Sequence, residues 1–264
     1  MINVSIFGAA GRMGKRLIDL ASSDEQLSLV GAVEATGHPL LGQDAGTVAG
    51  IGPLGLPLTS ELPKGPQVVI DFSQAEAVDG ILQTCLAANV PIVIATTGFG
   101  PETAERIESA SRSLPIVWSP NMSLAVNLTM KLSEIAAAAL QDSGNRADVE
   151  IIETHHRFKA DAPSGTALKF GELIADQLGI DHHQHGRQGT TGERPANEIG
   201  YHAVRSGDDA GQHTILFGMM GEKIELRVAA SNRDCYALGA ISAAKFISDQ
   251  PAGMYSMYDV LGLN

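Results

Sequence analysis

The chain has 264 residues, 44% of them hydrophobic and 18% charged, with a formal net charge of −12. That is enough for one large or two modest domains with real cores, in an ordinary globular balance. The acidity argues against a nucleic-acid or anionic-membrane surface, which would need a basic patch, and no apolar run reaches the roughly 18 residues of a membrane span.

The opening stretch MINVSIFGAAGRMG has no basic segment before its short apolar run, so it reads as a buried strand and not as a signal peptide. INVSIF, LSLVGAV, QVVIDF, VPIVIAT and PIVWS then follow one another through the first 120 residues, with helical segments over 12–21, 75–88 and 101–112 between them. Runs that are apolar at consecutive positions suit strands covered on both faces. Strand–helix alternation of this kind predicts a Rossmann-like, doubly wound parallel sheet of the α/β class.

Gly8, Gly11 and Gly14 stand at the first strand-to-helix junction, spaced G-x-x-G-x-x-G. Glycines there permit a tight turn and close approach of the backbone to a pyrophosphate, and the helix N-terminus supplies N–H groups. Glu34 ends the next strand, 20 residues after Gly14, where an acid accepts hydrogen bonds from ribose hydroxyls. Ligands of such sheets lie across the carboxyl ends of the strands. That rule singles out Asp71-Phe72-Ser73, Ala95-Thr96-Thr97-Gly98 and Ser119-Pro120-Asn121.

After a helix over 123–140 the pattern changes. ADVEIIETHH, EIGYHAVRS, HTILFG and EKIELRVAA read as strands, and a single clear helix, Gly165–Leu178, lies among them. This predicts a smaller α+β domain over 127–236. The helical tail returns to the first domain, which therefore comprises 1–126 plus 237–264. DHHQHGRQGTTGERP, from Asp181, reads as a mobile, polar, Gly-rich loop. Its His182 and His183 adjoin with no further ligand type nearby, so no metal is expected. Cys85 and Cys235 match no zinc spacing and read as two thiols of a cytoplasmic protein.

The stretch ETHHRFKADAPSGTA, residues 153–167, concentrates chemistry. His155 and His156 point to opposite faces of an extended strand end. A histidine titrates near neutral pH and suits general acid–base work. Lys159 adds a cation able to steady a developing anion. Ser164, Gly165 and Thr166 open a helix whose free N–H groups and hydroxyls form a cradle for a carboxylate.

These segments, together with DFS, TTGF, PNMS, TGER and ASNR, resemble the 4-hydroxy-tetrahydrodipicolinate (dihydrodipicolinate) reductase family from end to end. The resemblance implies a nucleotide domain plus a substrate and oligomerisation domain whose mixed sheet assembles a homotetramer. It implies a cytoplasmic NADH- or NADPH-dependent reductase of a cyclic dicarboxylate in lysine and diaminopimelate synthesis, with loss of water. His155 matches the family's proton donor and Lys159 its second catalytic group. His156, Ser164, Gly165 and Thr166 match the substrate contacts. Gly8, Ala9, Ala10, Gly11, Arg12, Met13, Glu34, Ala95, Thr96, Thr97, Ser119, Pro120, Asn121 and Met122 match the cofactor shell. Two positions depart from the family's pattern: Ala35 stands where an arginine is common, and Ala95 where a glycine is usual. The first predicts preference for NADH, or dual use. An aspartate dehydrogenase of similar layout is expected to lack the KADAPSGTA cradle, and a non-catalytic nucleotide sensor has no reason to keep His155 with Lys159.

Overall fold

The structure, a computed structural model, describes residues 1–142 and 147–263, and the side chain of Asp142 is not among the parts described. The chain divides into two units, Met1–Leu124 with everything from Asp234 onward, and Ala125–Arg233. In chain order the first unit runs β1 (Ile2–Phe7), α1 (Arg12–Ser22), β2 (Leu27–Val33), α2 (Ala45–Ala49), β3 (Leu58–Thr59), β4 (Val68–Asp71), α3 (Val78–Ala88), β5 (Ile92–Ile94), α4 (Pro101–Ser111) and β6 (Pro115–Trp118). The second unit holds most of α5 (Leu124–Asp142), then β7 (Asp148–His155), α6 (Gly165–Leu178), β8 (His182–His185), β9 (Glu198–Arg205), β10 (Gln212–Met219) and β11 (Glu222–Ala229). The chain returns to the first unit with α7 (Asp234–Ile247), β12 (Gly253–Tyr255) and α8 (Met257–Leu261). The boundary read at 236/237 would cut α7, which belongs whole to the first unit.

The first sheet is seven-stranded and parallel, in the order β12-β6-β5-β4-β1-β2-β3. Strand alternation feeds two cores. Val68, Ile70, Val93 and Val117 pack with Leu17 and Ile18 of α1 and Ala240 and Ile241 of α7. Val69, Ile92, Ile94 and Ile116 pack with Val78, Ile81 and Leu82 of α3 and Ile107 of α4. Burial on both sides is why these strands carry uninterrupted apolar runs. Because every strand is parallel, the ends of β1, β4, β5 and β6 share one edge, and the order reverses between β1 and β4.

The second sheet is mixed, in the order β11-β10-β7-β9-β8. β7 pairs antiparallel with β10 and parallel with β9. Val149 and Ile151 of β7, Ile199 and Tyr201 of β9, and Ile215 and Phe217 of β10 are buried, as are Ala167, Phe170 and Ile174 of α6, which packs on β7 and β9. The inward face of β7 turns polar at its carboxyl end, where Glu153 and His155 are buried.

His182–His185 is a strand and not the loop read from its composition. It pairs with β9 from His182↔Glu198 to His185↔Tyr201. Its polar side chains find partners in the pairing, His183 Nδ1 on the Tyr201 hydroxyl at 2.7 Å and His182 Nε2 3.5 Å from Glu198, so low hydrophobicity does not prevent a strand. The segment that follows is pinned. Arg187 and Arg194 both donate to Glu150, at 2.7 and 3.0 Å, and Arg187 also pairs with Glu198. Burial opposes the Glu150 charge, but Arg187, His202 and Arg194 outweigh it and hold the carboxyl down at about 2. Among the described residues no group of three His, Cys, Asp or Glu side chains could hold a metal ion, and no helix is long and apolar enough to cross a membrane.

Candidate active site

The turn after β1 starts with Gly8 at φ +72°, and α1 follows with Gly11 as its N-cap and no side-chain capping bond. A Cβ on Gly14 would stand 2.1 Å from the Gly8 carbonyl oxygen and 2.7 Å from Ala9 Cα, so only glycine lets α1 begin this close to the turn. Ala9 N–H donates to Val33 O at 3.1 Å and Gly11 N–H to Gly8 O at 3.0 Å. Ala9 is buried, Ala10 and Met13 are half-buried, and Arg12 is exposed. Glu34 Oε2 accepts the Ala10 N–H at 3.0 Å and Oε1 accepts the Ala35 N–H at 2.9 Å. The acid is thereby fastened to the glycine turn itself. A tight turn, a helix start without a side-chain cap and an acid at the end of β2 fit a dinucleotide.

On the same sheet edge, Ala95 and Thr96 are buried and Thr97 is exposed. Ser119 and Met122 are buried and Pro120 is exposed. The Ser119 hydroxyl donates to Asn121 O at 2.8 Å, and Asn121 Oδ1 accepts the Ser123 N–H at 2.9 Å, so this turn is internally fixed.

Asp71, at the end of β4, is fully buried. Its Oδ1 accepts the Ser73 N–H at 2.9 Å. Burial pushes the carboxyl up, against the lowering effect of Ser73 and Thr96. A carboxyl raised in the native state binds more protons there than in the unfolded chain. Its contribution to stability is therefore greatest below the ordinary carboxyl range and is lost as pH rises. Asp71→Asn is expected to raise Tm by a few degrees at pH 7–8, with the gain vanishing near pH 4. Thermal melts across that range check it, and superimposable melts at every pH would count against the assignment.

In the second unit, β7 delivers His155 at its last residue, buried, with Nδ1 2.5 Å from Glu153 Oε2. His156 lies past the strand. Its N–H donates to Asp209 O at 2.8 Å and its half-buried ring leans on Phe158. Lys159 Nζ pairs with Asp161 Oδ1 at 2.8 Å. Asp161 is 58% exposed, so water screens that pair. Ser164 caps α6. Its Oγ accepts the Ala167 N–H at 3.1 Å and lies 3.0 Å from His213 Nε2. At 2% exposure, Ser164 fixes the helix start through the Ala167 contact. Gly165 is exposed and Thr166 half-buried at that start.

Glu153, Arg205 and His213 belong to this cluster and were not singled out in the sequence. Arg205 donates to both oxygens of Glu153, at 2.9 and 2.8 Å. Burial pushes His213 down to about 4, with the charge of His155 acting in the same direction, so it stands neutral at pH 7. The available signal was period two. Glu153 and His155 continue the inward series Val149, Ile151, and His213 heads the inward series Ile215, Phe217. A polar residue at a core position needs a reason.

The family model for the N-terminal part of dihydrodipicolinate reductase matches residues 2–122, and that for its C-terminal part matches 125–261. A 4-hydroxy-tetrahydrodipicolinate reductase of Rhodopirellula baltica is 55% identical over 271 aligned residues, covering 100% of this chain and 97% of its relative. One from Alkalilimnicola ehrlichii is 46% identical, covering 98% of each. Among solved structures, a dipicolinate-bound dihydrodipicolinate reductase from Paenisporosarcina sp. superposes with a TM-score of 0.78 at 27% identity, over 98% of both chains. An amine dehydrogenase from Mycobacterium smegmatis, at 13% identity and a TM-score of 0.64 over 97% of this chain and 95% of its own, shares the fold. Matched in both halves and along its whole length, the chain belongs to the dihydrodipicolinate reductase family, nicotinamide-dependent oxidoreductases with 4-hydroxy-tetrahydrodipicolinate reductase activity in lysine biosynthesis.

Proposed function

We propose that the first unit is the dinucleotide domain and the second the substrate domain, with the residue roles that follow. Gly8 to Met13 receive the pyrophosphate at the start of α1, and Glu34 accepts from the adenosine ribose hydroxyls. Ala95, Thr96, Thr97 and Ser119 to Met122 hold the nicotinamide end. When bound, the dihydronicotinamide supplies a hydride. His155 delivers the proton that completes saturation of one double bond of the cyclic substrate, after loss of water from its 4-hydroxy form. Lys159 stabilises negative charge as the hydride arrives. His156, Ser164, Gly165 and Thr166 receive the carboxylates, and Ser164 also holds the helix start. The carrying observation is the His155 ring, buried and held by Glu153 at the end of β7, ten residues before the start of α6.

A cytoplasmic homotetramer assembled through the second sheet belongs to the same proposal. Ile152 and Val204, 39% and 44% exposed on the side of that sheet away from its buried residues, support it.

For the cofactor, NADH preference or dual use is expected. Binding the extra phosphate of NADPH generally needs an arginine or lysine. Glu34 would repel that phosphate, and Ala35 adds no charge to compensate. Arg12 and Lys15 are the nearest cations on the turn and first helical residues. The test follows NADH and NADPH absorbance with the condensation product of pyruvate and aspartate semialdehyde as substrate. The expected result is the higher kcat/KM with NADH, and Ala35→Arg is expected to shift the ratio toward NADPH by about 1–2 kcal/mol. No consumption of either cofactor would sink the assigned roles. A tenfold preference for NADPH in the unmodified protein would show that Arg12 and Lys15 outweigh the missing arginine.

A further inference from the structure

We propose that Glu153 is the positioning residue of the acid–base site: its carboxylate fixes which ring nitrogen of His155 carries the resting hydrogen, and ties that ring to the start of α6. This rests on the reading of His155 as proton donor. A carboxylate only accepts, so a 2.5 Å contact from Glu153 Oε2 requires the hydrogen on His155 Nδ1. Nε2 is then the atom that exchanges a proton with a ligand. A Cβ on Gly211 would stand 2.9 Å from Nε2, close to where a hydrogen-bond partner belongs. Glycine leaves that place open.

The other oxygen of Glu153 accepts the Ser164 N–H at 3.1 Å, the residue that caps α6. One carboxylate therefore sets the distance between the acid–base ring and the helix start. A carboxylate 1% exposed stays ionised only when paired. Arg205 supplies the pairing from β9, where it is the Cα partner of His155. Burial works against the charge of Glu153, and Arg205 and His155 outweigh it, holding the carboxyl below its ordinary range.

The titratable and charged groups around His155 are Glu153 on its own strand, Arg205 on β9, His213 on β10 and Asp209 before β10, and the charge of Lys159, after β7, reaches His213. His213 stands edge-on to the His155 ring, with centroids 5.3 Å apart. Among the contacts described, it is Glu153 that bonds a nitrogen of the ring.

A neighbouring carboxylate favours the protonated imidazole, so its removal moves loss of the acid to lower pH. Glu153→Gln is expected to move the alkaline limb of the kcat/KM profile to lower pH. It is also expected to lower kcat by roughly tenfold or more through the freed ring, with the Kd for NADH unchanged. Glu153→Asp keeps the charge on a shorter arm. It is expected to return the limb toward its original position while kcat stays reduced. A Glu153→Gln profile superimposable on that of the unmodified protein overturns the inference, as does an aspartate variant whose limb stays with that of glutamine. Should the variants not fold, 15N–1H correlation of ring-labelled histidine in the unmodified protein decides. Whatever fraction of the ring is neutral is expected to carry its hydrogen on Nδ1, and a neutral ring with its hydrogen on Nε2 overturns the inference. Near-normal turnover of His155→Gln would instead bring down the donor reading itself.

Discussion

His155→Gln is expected to lower kcat by roughly 10²- to 10⁴-fold, the usual loss when a general acid is removed. Glutamine keeps much of the ring's volume and a polar end, but it cannot release a proton near neutral pH. Neither His213 nor Glu153 can take its place. His213 is buried, sits at about 4 and is neutral at the working pH. Glu153 is an ionised acceptor whose two oxygens are taken by His155, Arg205 and the Ser164 N–H. Lys159→Ala is expected to lower kcat over a similar range if its charge acts as hydride arrives, because electrostatic support developed only in the transition state appears in kcat. Both residues lie in the second unit and the glycine turn in the first, so the Kd for NADH, measured by fluorescence titration, is expected to stay unchanged. Steady-state kinetics at saturating NADH check both variants. Either variant turning over at near-normal rate would remove its residue from the mechanism.

Gly14→Ala is expected to weaken NADH binding by about 10- to 100-fold. The added methyl would stand 2.1 Å from Gly8 O and 2.7 Å from Ala9 Cα and carbonyl carbon. These are backbone atoms and cannot swing aside, so α1 must move off the turn. Forcing such an overlap costs roughly 1–3 kcal/mol, and 1.4 kcal/mol is tenfold in affinity. The loss falls on binding because the displaced atoms are those that carry the turn and the helix N–H groups. Gly80→Ala is the control. Gly80 lies in α3, a Cβ there meets nothing within 4 Å, and replacing a helical glycine is expected to leave the Kd unchanged while raising Tm. Equal affinity for NADH in the Gly14 variant and the unmodified protein would show that the turn tolerates a wider approach than the structure indicates.

Strand–helix alternation through residue 120, the glycine turn with Glu34, and the cluster from His155 to Thr166 were legible in the sequence because each is local. A strand buried on both faces must be apolar at consecutive positions, as Val68, Val69 and Ile70 are. A helix start needs a cap, and Ser164 supplies one, so the helix over Gly165–Leu178 was bounded correctly from its cap and apolar stripe. Shorter pieces were not legible. α2, β3, β12 and α8 run for five, two, three and five residues, too few to show a period. His182–His185 looked like a loop because polar composition was all the sequence displayed, whereas pairing with β9 decided its conformation. The Glu153–Arg205–His213 arrangement is the clearest product of tertiary structure. Arg205 is 52 residues from Glu153 along the chain, and the parallel register of β7 with β9 makes it the partner of His155. The antiparallel register of β7 with β10 sets His213 opposite Glu153. Strand register is a property of the pairing of two segments, and a shift of one residue would turn Arg205 or His213 to the other face. No single segment carries that information, so which groups surround His155 was decided only when the sheet closed.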